Sequence, residues 1–365
     1  MTSSEDNLIP HSRPRLSEGD IESVRNALRA AHLSRGPETE ALERGLSSFT
    51  GGYRAVAVSS GTAALYLALV SLNIGAGDKV VIPSYTCNSL YAAVVHAGAR
   101  PVCADTAHGG PCIAPETVSS VLDKDVKAII ATHAFGYTAD IGAIAELGIP
   151  VIEDCAQSFG GKYPDGKILG TAGIAGILSF YATKLLPAGE GGACITGDDE
   201  LARKARALRE CDERPLDDKA FNFKMSDIHA ALAGNRLKTL EDSLARRADI
   251  AARYDEALGP FSFRKASSRN QSACYRYLIN LFPEEEKTDS KRVERFISLS
   301  RNRGIICRRP VRRALHHSLG GNCTATERLE DSLVSVPIYP SLTDAEINRV
   351  CTELPQIIRE CVKTI

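Results

Sequence analysis

A short segment, residues 59–64, offers the first group that could do chemistry. It places Gly61 and Thr62 directly after an apolar run. If a helix starts there, its free N–H groups and its dipole favour an anion, typically a phosphate. The segment lacks both the Walker lysine and the three-glycine dinucleotide fingerprint, so a turn of small residues is the competing interpretation.

A second segment ends an apolar run with two acids. Glu153 and Asp154 follow residues 151–152, and Gln157 comes three positions later. Doubly wound sheets bind ligands at the carboxyl ends of their strands, and a carboxylate there suits a buried cation such as a protonated pyridine nitrogen. Alternatively, the two acids cap a helix.

Lys184 comes just after a third apolar run and ahead of the glycine-rich residues 189–192. Burial in that position lowers the pKa of an amine and makes it a nucleophile for Schiff-base chemistry. A lone lysine is usually a surface residue, so this interpretation depends on the other two segments.

The three segments are more specific together than singly. In chain order they offer a phosphate site, an acid for a ring nitrogen and a lysine for an aldehyde. Those groups bind pyridoxal 5′-phosphate (PLP), whose protonated ring stabilises a carbanion at the substrate carbon. The pattern therefore predicts PLP as the cofactor.

The surrounding elements that must position these residues follow a strand–helix alternation. Near-continuous apolar strands alternating with helices are typical of a parallel sheet covered on both faces. The last two strands are too close in sequence for a crossover helix, which leaves room for one antiparallel strand. Strands are predicted at residues 55–58, 79–83, 101–104, 128–133, 150–153, 176–180 and 193–196.

Helices are expected on both sides of this alternation. Ser17 opens a variant capping box before one helix, and Pro37 suits the first turn of the next. Residues 227–258 have one long helical pattern with Ser226 as N-cap. The later part looks like a smaller α/β unit, with strands at residues 275–281 and 333–336 and helices at 290–303 and from 344.

We therefore predict two domains, residues 1–250 with the cofactor site and residues 251–365 as a small α/β domain. Residues 1–7 are predicted to be a loose tail.

Composition excludes several classes of protein. The chain has 365 residues, 44 Lys+Arg and 45 Asp+Glu, a net charge of −1, so neither a nucleic-acid stripe nor a polybasic anchor is indicated. No run of about 18 apolar residues occurs, and a cytoplasmic protein without a membrane partner is expected. The eleven cysteines include no CxxC pair, which predicts reduced core thiols and no metal site.

With these residues in view, the sequence resembles the nucleotide-sugar aminotransferases of the DegT/DnrJ/StrS group. The resemblance covers about residues 9–354 and implies a fold-type-I PLP-dependent transferase. That fold has a mostly parallel seven-stranded sheet flanked by helices and a smaller C-terminal α/β domain. The matching segments are residues 12–14, 33–37, 57–65, 136–140, 151–157, 179–184, 189–192, 222–228 and 336–344.

The resemblance also implies roles. Lys184 matches the Schiff-base lysine that shuttles the proton, and Asp154 matches the acid at the pyridine nitrogen. Gln157 matches the residue near the 3-hydroxyl group of PLP. A dehydratase branch of the group has histidine in place of the lysine, so the presence of Lys184 argues against that branch.

The same comparison assigns the phosphate ligands and an oligomeric state. Gly61, Thr62 and Ser179 match phosphate ligands. Asn222 matches an asparagine that reaches the phosphate from the neighbouring subunit, which implies a homodimer with shared sites.

Two positions depart from the group's pattern. An aromatic residue that stacks on the PLP ring usually follows the threonine of a Pro-x-x-Thr segment, but here Thr86 is followed by Cys87. Either Tyr85 supplies the ring, or Cys87 makes a weaker contact. Lys224 stands where the group often has arginine, which keeps the charge but loses the bidentate fork.

The densest basic cluster, residues 308–317, resembles a segment that lies near the substrate in this group. Arg309 and His316 are therefore candidate substrate residues, together with Glu190 of the glycine-rich loop. Arginine can pair with a nucleotide diphosphate bidentately. A solvated basic face, or a loop over the partner subunit, is the alternative. His133 is interpreted as structural rather than as a substrate ligand.

The sequence thus predicts a PLP-dependent aminotransferase. It would move an amino group from an amino acid, by resemblance glutamate, to a keto sugar, by resemblance a nucleotide-linked keto-deoxysugar. One alternative acceptor is a cyclitol or another keto compound without a nucleotide. A PLP-fold regulator without turnover is the alternative from a different class of protein.

Overall fold

A computed structural model describes residues 8–212, 217–266, 273–282 and 287–362. The predicted tail, residues 1–7, lies outside these ranges.

The predicted large sheet is present, with seven strands in the spatial order β1-β7-β6-β5-β4-β2-β3. Strands β2 to β6 pair in parallel with one another. Strand β7 is antiparallel to both of its neighbours, which confirms the one antiparallel strand that the short connection allowed. The strands are β1 (Arg54–Val58), β2 (Lys79–Pro83), β3 (Arg100–Ala104), β4 (Val126–Thr132), β5 (Val151–Asp154), β6 (Ala175–Ser179) and β7 (Gly192–Thr196).

Helices surround this sheet and build the rest of the described chain. Short 3₁₀ helices occur at Ala134–Gly136 and Gly259–Phe261. The α-helices are α1 (Glu18–Arg29), α2 (Pro37–Phe49), α3 (Gly61–Ser71), α4 (Asn88–His96), α5 (Pro115–Ser119), α6 (Ile141–Ala145), α7 (Asp199–Leu208), α8 (Asp227–Lys238), α9 (Leu240–Leu258), α10 (Phe263–Ala266), α11 (Ser290–Asn302), α12 (His316–Leu319), α13 (Thr324–Glu330) and α14 (Asp344–Val362).

Alternate residues of β1 show that both faces of the sheet are covered. Val56 belongs to an apolar cluster with Leu201 of α7, whereas Ala55 belongs to another with Leu42 of α2. Successive side chains of a strand point to opposite faces, so a strand buried on both must be apolar throughout. This confirms the predicted α/β class.

One predicted element is wrong in part, because residues 227–258 form two helices rather than one. Thr239 separates α8 from α9 with φ −112° and ψ 12°, and its hydroxyl donates to the Arg236 carbonyl at 3.3 Å. A β-branched residue that bonds to a nearby carbonyl favours such a break. Ser226 caps α8 as predicted, since its Oγ accepts the His229 N–H.

The later part of the chain contains a second, two-stranded sheet. Strand β8 (Tyr277–Asn280) pairs antiparallel with β9 (Leu333–Val336). Its apolar cluster includes Ile250 and Tyr254 of α9 and residues of α11 and α14. Ile9 joins the same cluster and bridges to Ile305, so the chain's N-terminal segment packs here. The domain boundary at residue 250 stays a prediction.

The described part of the chain contains neither a membrane-spanning helix nor a disulfide. No helix among the described residues is both long and apolar enough to span a membrane. Within the described ranges no disulfide joins any of the eleven cysteines, and eight of them are buried, where a thiol behaves as a small apolar side chain.

Candidate active site

The first turn of α3 begins directly after β1, where the sequence predicts an anion site. Ser60 caps this helix, because its Oγ accepts the Ala63 N–H at 3.1 Å. Gly61 and Thr62 follow and are half-buried. The early N–H groups of a helix have no intrahelical acceptor, and the helix dipole adds positive potential there.

Neighbouring strands approach this turn main chain to main chain. A Cβ on Gly192 would lie 2.5 Å from the Gly61 nitrogen, and a Cβ on Gly61 would lie 3.0 Å from the Ser179 Cβ. Only glycine therefore fits at either position without a shift of the strands. The fold thus brings Gly61, Thr62 and Ser179 together.

Asp154 ends β5 and is only 3% exposed. Its carboxylate accepts the Ala156 N–H at 3.0 Å and the Thr132 hydroxyl at 3.3 Å. Burial raises the pKa of Asp154 above its ordinary value, although the Ala156 hydrogen bond and the charge of Lys184 oppose this. A cation placed against this carboxyl would favour its charged form.

Glu153, one position earlier on β5, points to the other face of the sheet and has a different environment. Burial acts to raise its pKa, but hydrogen bonds outweigh this effect, with the bond from His133 the largest, and the pKa is lowered. Its donors are the N–H groups of Gly170, Ala172 and Gly173, His133 Nε2 at 2.9 Å and the Tyr163 hydroxyl.

These bonds identify His133 as a structural residue. Its Nδ1 accepts the Ala139 N–H at 3.0 Å, so Nε2 carries the proton that goes to Glu153. Neither Glu153 nor Asp154 caps one of the described helices, which removes the capping interpretation of this pair.

Lys184 is half-buried and lies against an aromatic side chain. Its Nζ is 5.3 Å from the ring centroid of Tyr275, within the range of a cation–π contact. Burial acts to raise the pKa of Tyr275, but the charges of Lys184 and Arg276 and a hydrogen bond from Thr183 outweigh it, and the pKa is lowered.

Lys184 lines a cavity of about 730 Å³, which we call the lysine cavity. Gln157 and Cys87 line it too, as do Phe135 and Tyr91. Gln157 is oriented by a hydrogen bond that its Oε1 accepts from the Phe135 N–H at 2.9 Å. Three of the predicted residues, Lys184, Gln157 and Cys87, therefore share one cavity.

Tyr85 and Cys87 differ sharply in position. Tyr85 is 1% exposed and packs edge-on against the Phe135 ring at 5.7 Å between centroids. Cys87 is exposed and directly precedes α4. Of the two candidates for contact with the cofactor ring, only Cys87 lines the lysine cavity.

A second cavity, of about 990 Å³, adjoins the first, and we call it the arginine cavity. Tyr275 and Arg276 line both cavities, as do Pro310 and Arg312. The arginines that line the arginine cavity are Arg247, Arg276, Arg301, Arg308, Arg309 and Arg312.

The positive charge of the arginine cavity affects the pKa of His11, which also lines it. Burial, together with the charges of Arg276 and Arg308, lowers the pKa of His11 to about 3. Arg276 Nη1 lies 3.2 Å from His11 Nε2, so the neutral ring accepts that hydrogen bond. An anion is the ligand that such a surface suits.

The other predicted substrate residues occupy different places. Arg309 lines the arginine cavity, but its guanidinium donates to the main-chain carbonyls of Ser290, at 3.1 Å, and Glu330. His316 is buried, and Glu190 is exposed. Neither His316 nor Glu190 lines the two cavities.

Asn222 is exposed, next to Phe221, which is 60% exposed. The next residue, Phe223, accepts the Ser59 N–H through its carbonyl at 2.8 Å. This bond places the segment around Asn222 beside the turn that precedes Gly61. Lys224 forms an ion pair with Asp212 at 3.0 Å.

Nothing in the sequence marks Tyr275, Arg276 or Arg247 as functional residues. Tyr275 and Arg276 open a predicted strand, where an aromatic residue is unremarkable. Arg247 is buried in α9 and donates to the carbonyl of Ile338 at 2.9 Å. No spacing in the sequence links these positions to Lys184, so only the fold shows their proximity.

The arrangement matches the groups that PLP requires. Asp154 is a buried carboxyl that forms no ion pair with the described residues, and a protonated ring nitrogen would supply the missing cation. The turn at Gly61 and Thr62 suits the phosphate, and Lys184 is within electrostatic reach of Asp154. These residues fit the cofactor.

Comparison with known proteins agrees with this geometry. TlmJ, an aminotransferase from Streptoalloteichus hindustanus, is 28% identical, with a TM-score of 0.90 over 97% of this chain and 100% of that one. A DegT/DnrJ/EryC1/StrS aminotransferase from Brucella abortus is 29% identical, with a TM-score of 0.81 over 93% and 94%. The PLP form of Spr1654 from Streptococcus pneumoniae shares the fold at 23% identity, with a TM-score of 0.89 over 97% and 99%.

The family model of the DegT/DnrJ/EryC1/StrS aminotransferases matches residues 14–355. That range contains both cavities except for the N-terminal residues that line the arginine cavity. With a buried acid, a lysine and a glycine-containing helix start on a shared fold, this chain belongs to the DegT/DnrJ/EryC1/StrS family of PLP-dependent aminotransferases.

Proposed function

We propose that this enzyme transfers an amino group from glutamate to a keto sugar carried on a nucleotide diphosphate. The observation that carries the proposal is the junction of the two cavities at Tyr275, with Lys184 on one side and a group of arginines on the other. One cavity suits the amino-transfer chemistry and the other suits a polyanionic acceptor.

On the lysine side, each role is assigned to a residue of this chain. When bound, PLP supplies an aldehyde that takes up the amino group and a ring that withdraws electrons from the substrate C–H bond. Lys184 Nζ accepts the substrate proton and returns it in each half of the reaction. Asp154 holds a proton on the ring nitrogen, and Gln157 contacts the ring edge.

The phosphate of the cofactor is assigned to the turn at α3. Gly61 and Thr62 donate main-chain N–H groups, and the Ser179 hydroxyl donates from the neighbouring strand end. Asn222 completes the site from the second subunit of a homodimer. Support for the dimer comes from the exposed apolar rings near the site, including Phe221 at 60% and Tyr181 at 49% exposure.

On the arginine side, we assign the diphosphate of the acceptor to Arg308 and Arg312. Both are exposed, and their guanidinium groups form no hydrogen bond or ion pair within the described ranges. Arg309 and His316 hold the wall in place, through the carbonyl of Ser290 and the hydroxyl of Ser84. The predicted substrate role of Glu190 stays a prediction.

We also propose a cytoplasmic location, supported by eleven cysteines that form no disulfide in the described part of the chain, a state that reducing compartments maintain.

The test is spectroscopic and uses the purified holoenzyme. We expect an absorbance band from lysine-bound cofactor that bleaches when glutamate is added without an acceptor. Lys184→Ala should lack the band, whereas Lys167→Ala, which removes a lysine that is 70% exposed on the surface, should keep it. A Lys184→Ala enzyme that retained the band and full turnover would contradict the assignment.

The acceptor is then tested by comparing one keto sugar free and nucleotide-linked. Regeneration of the band by the nucleotide-linked sugar alone supports the proposal. Equal use of the free sugar or of a keto cyclitol would favour the acceptor without a nucleotide. A protein that binds PLP but transfers an amino group from none of the donors tested would support the regulator hypothesis instead.

A further inference from the structure

A group of four side chains outside both cavities, which we call the histidine cluster, is not used by the reaction. It comprises His316 and His317 of α12 and Glu327 and Glu330 of α13. The ligand atoms of His316, His317 and Glu330 all lie within 4.8 Å of one another. The two imidazole rings are 4.1 Å apart between centroids, and Glu327 Oε1 is 3.5 Å from His316 Nε2.

His316 carries an unsatisfied nitrogen that points into this cluster. The side chain is buried, and Nε2 makes no hydrogen bond. Buried polar atoms in proteins nearly always have a partner. With only the Glu327 carboxylate facing it among the described residues, at 3.5 Å, Nε2 is open to a further partner such as a metal ion.

The other ring nitrogen of His316 is held by Ser84. His316 Nδ1 lies 2.6 Å from Ser84 Oγ, which also accepts the His316 N–H at 3.4 Å. Ser84 Oγ has lone pairs to accept from Nδ1–H as well as from the main-chain N–H, and we assign the Nδ1–H tautomer to His316 on this arrangement. Nε2 then carries a lone pair, the form of histidine that binds metals, with the second-shell hydrogen bond typical of such ligands.

Two carboxylates lie beside the two imidazole rings. Glu330 is held by the Ala314 N–H, which donates to Oε1 at 2.6 Å, while Oε2 lies 2.7 Å from His317 Nε2. Glu327 is one helical turn away on the same helix. Two imidazoles and two carboxylates form a donor set that zinc accepts in tetrahedral geometry.

We propose that the histidine cluster binds one Zn²⁺ ion. His316 Nε2, His317 Nε2, a Glu330 oxygen and a Glu327 oxygen are the ligands. His317 now donates its Nε2 proton to Glu330, so binding shifts that proton to Nδ1 or releases it to solvent. His317 and Glu327 are exposed and provide the entry path.

The site would stiffen one wall of the lysine cavity. Leu315 and Ser318, next to the two histidines, line that cavity. Ser84, which holds His316, lies two residues before Thr86, another lining residue. A bound ion would join α12 to α13 and to the end of β2. No motif or spacing in the sequence indicates this site, because its ligands come together only through the packing of two short helices.

The proposal is tested by binding rather than by activity, so its outcome is independent of the proposed acceptor. Tag-free holoenzyme, stripped of metal, is titrated with ZnCl₂ in a calorimeter and with Co²⁺ in an absorbance spectrometer. The variants are His317→Ala and Glu330→Gln, with Ser84→Ala as a second-shell variant. His96→Ala, at an exposed histidine that ends α4, and Cys211→Ser, at an exposed thiol, are the controls.

We expect one equivalent of Zn²⁺ to bind the parent and both controls with the same affinity. The affinity should fall at least about 100-fold in His317→Ala and Glu330→Gln, and about 10-fold in Ser84→Ala. Tetrahedral Co²⁺ bands should appear only where Zn²⁺ binds. Binding that is unchanged in His317→Ala, or lost in Cys211→Ser, overturns the proposal, as does a parent that binds no ion.

Discussion

The lysine cavity and the arginine cavity share Tyr275 and Arg276 but are built in different ways. Lys184, Gln157 and Cys87 sit close to the carboxyl ends of strands in the large sheet, whose register fixes them. The arginine cavity draws instead on an N-terminal segment, on α9 and on the loop around Arg308. Chemistry placed on a rigid sheet and recognition placed on loops can change separately.

The strongest way to test this separation is Asp154→Asn on the lysine side. An amide cannot hold the proton on the ring nitrogen, so both half-reactions should slow by about 10²- to 10⁴-fold. Stopped-flow absorbance with glutamate alone, and then with acceptor, measures the two steps. Asp140→Asn, at the N-cap of α6, should leave both rates unchanged, since asparagine caps as well as aspartate.

A loss confined to the acceptor step would place Asp154 outside the cofactor chemistry.

Glu153 precedes Asp154 on β5 and accepts five hydrogen bonds, which hold this strand in place. Glu153→Gln should lower the free energy of unfolding at pH 7 by about 3 kcal/mol, because donors that pair with a buried carboxylate lose their acceptor. Urea unfolding at several pH values measures the change. Glu146→Gln, at an exposed position, should stay within about 0.5 kcal/mol of the parent.

The pH dependence has a definite sign. The folded-state pKa of Glu153 is lowered from 4.5, so its stabilisation is present above the unfolded-state pKa and is lost as the pH falls through the folded-state value. The difference between parent and Glu153→Gln should therefore shrink in acid. A difference that grew as the pH fell would show that Glu153 is protonated in the folded state.

On the arginine side, Arg308→Ala removes an assigned diphosphate ligand that lines the arginine cavity but not the lysine cavity. It should raise the KM for a nucleotide-linked acceptor by about 10- to 100-fold, the effect of losing a charge-assisted hydrogen bond. The glutamate half-reaction should be unaffected. Steady-state kinetics with each substrate varied separate the two. Arg29→Ala, at an arginine that is 72% exposed on α1, is the control, and an equal effect on both half-reactions would mean that the cavities do not divide the work.

The smallest expected effect comes from the ring contact on the lysine side. Cys87→Phe should lower the Kd for PLP by about 2- to 10-fold, the contribution of one aromatic pair. Absorbance titration of the apoenzyme measures it, with Cys211→Phe at the other exposed cysteine as control. An unchanged Kd would mean that residue 87 does not face the ring, and would return that role to Tyr85.

The same contrast explains what could be predicted from the sequence. The strands of the large sheet, and the positions of Lys184 and Asp154 at strand ends, follow from local apolar patterns. The arginine cavity could not be predicted, because His11, Arg247, Arg276 and Arg308 come from distant parts of the chain. The break at Thr239 could not be predicted either, since the residues before and after it both favour a helix and no Gly or Pro marks the junction.

Helix α9 runs from Leu240 through the proposed boundary at residue 250 and ends in the core of the smaller sheet. Arg247 fastens it there through the carbonyls of Tyr275 and Ile338. A chimaera joined at residue 250 would therefore have its junction inside a helix. It would take Arg247 from one parent and the carbonyls that Arg247 contacts from the other. A chimaera made to exchange acceptor specificity between relatives should instead be joined at Thr239, where the chain is already non-helical between α8 and α9.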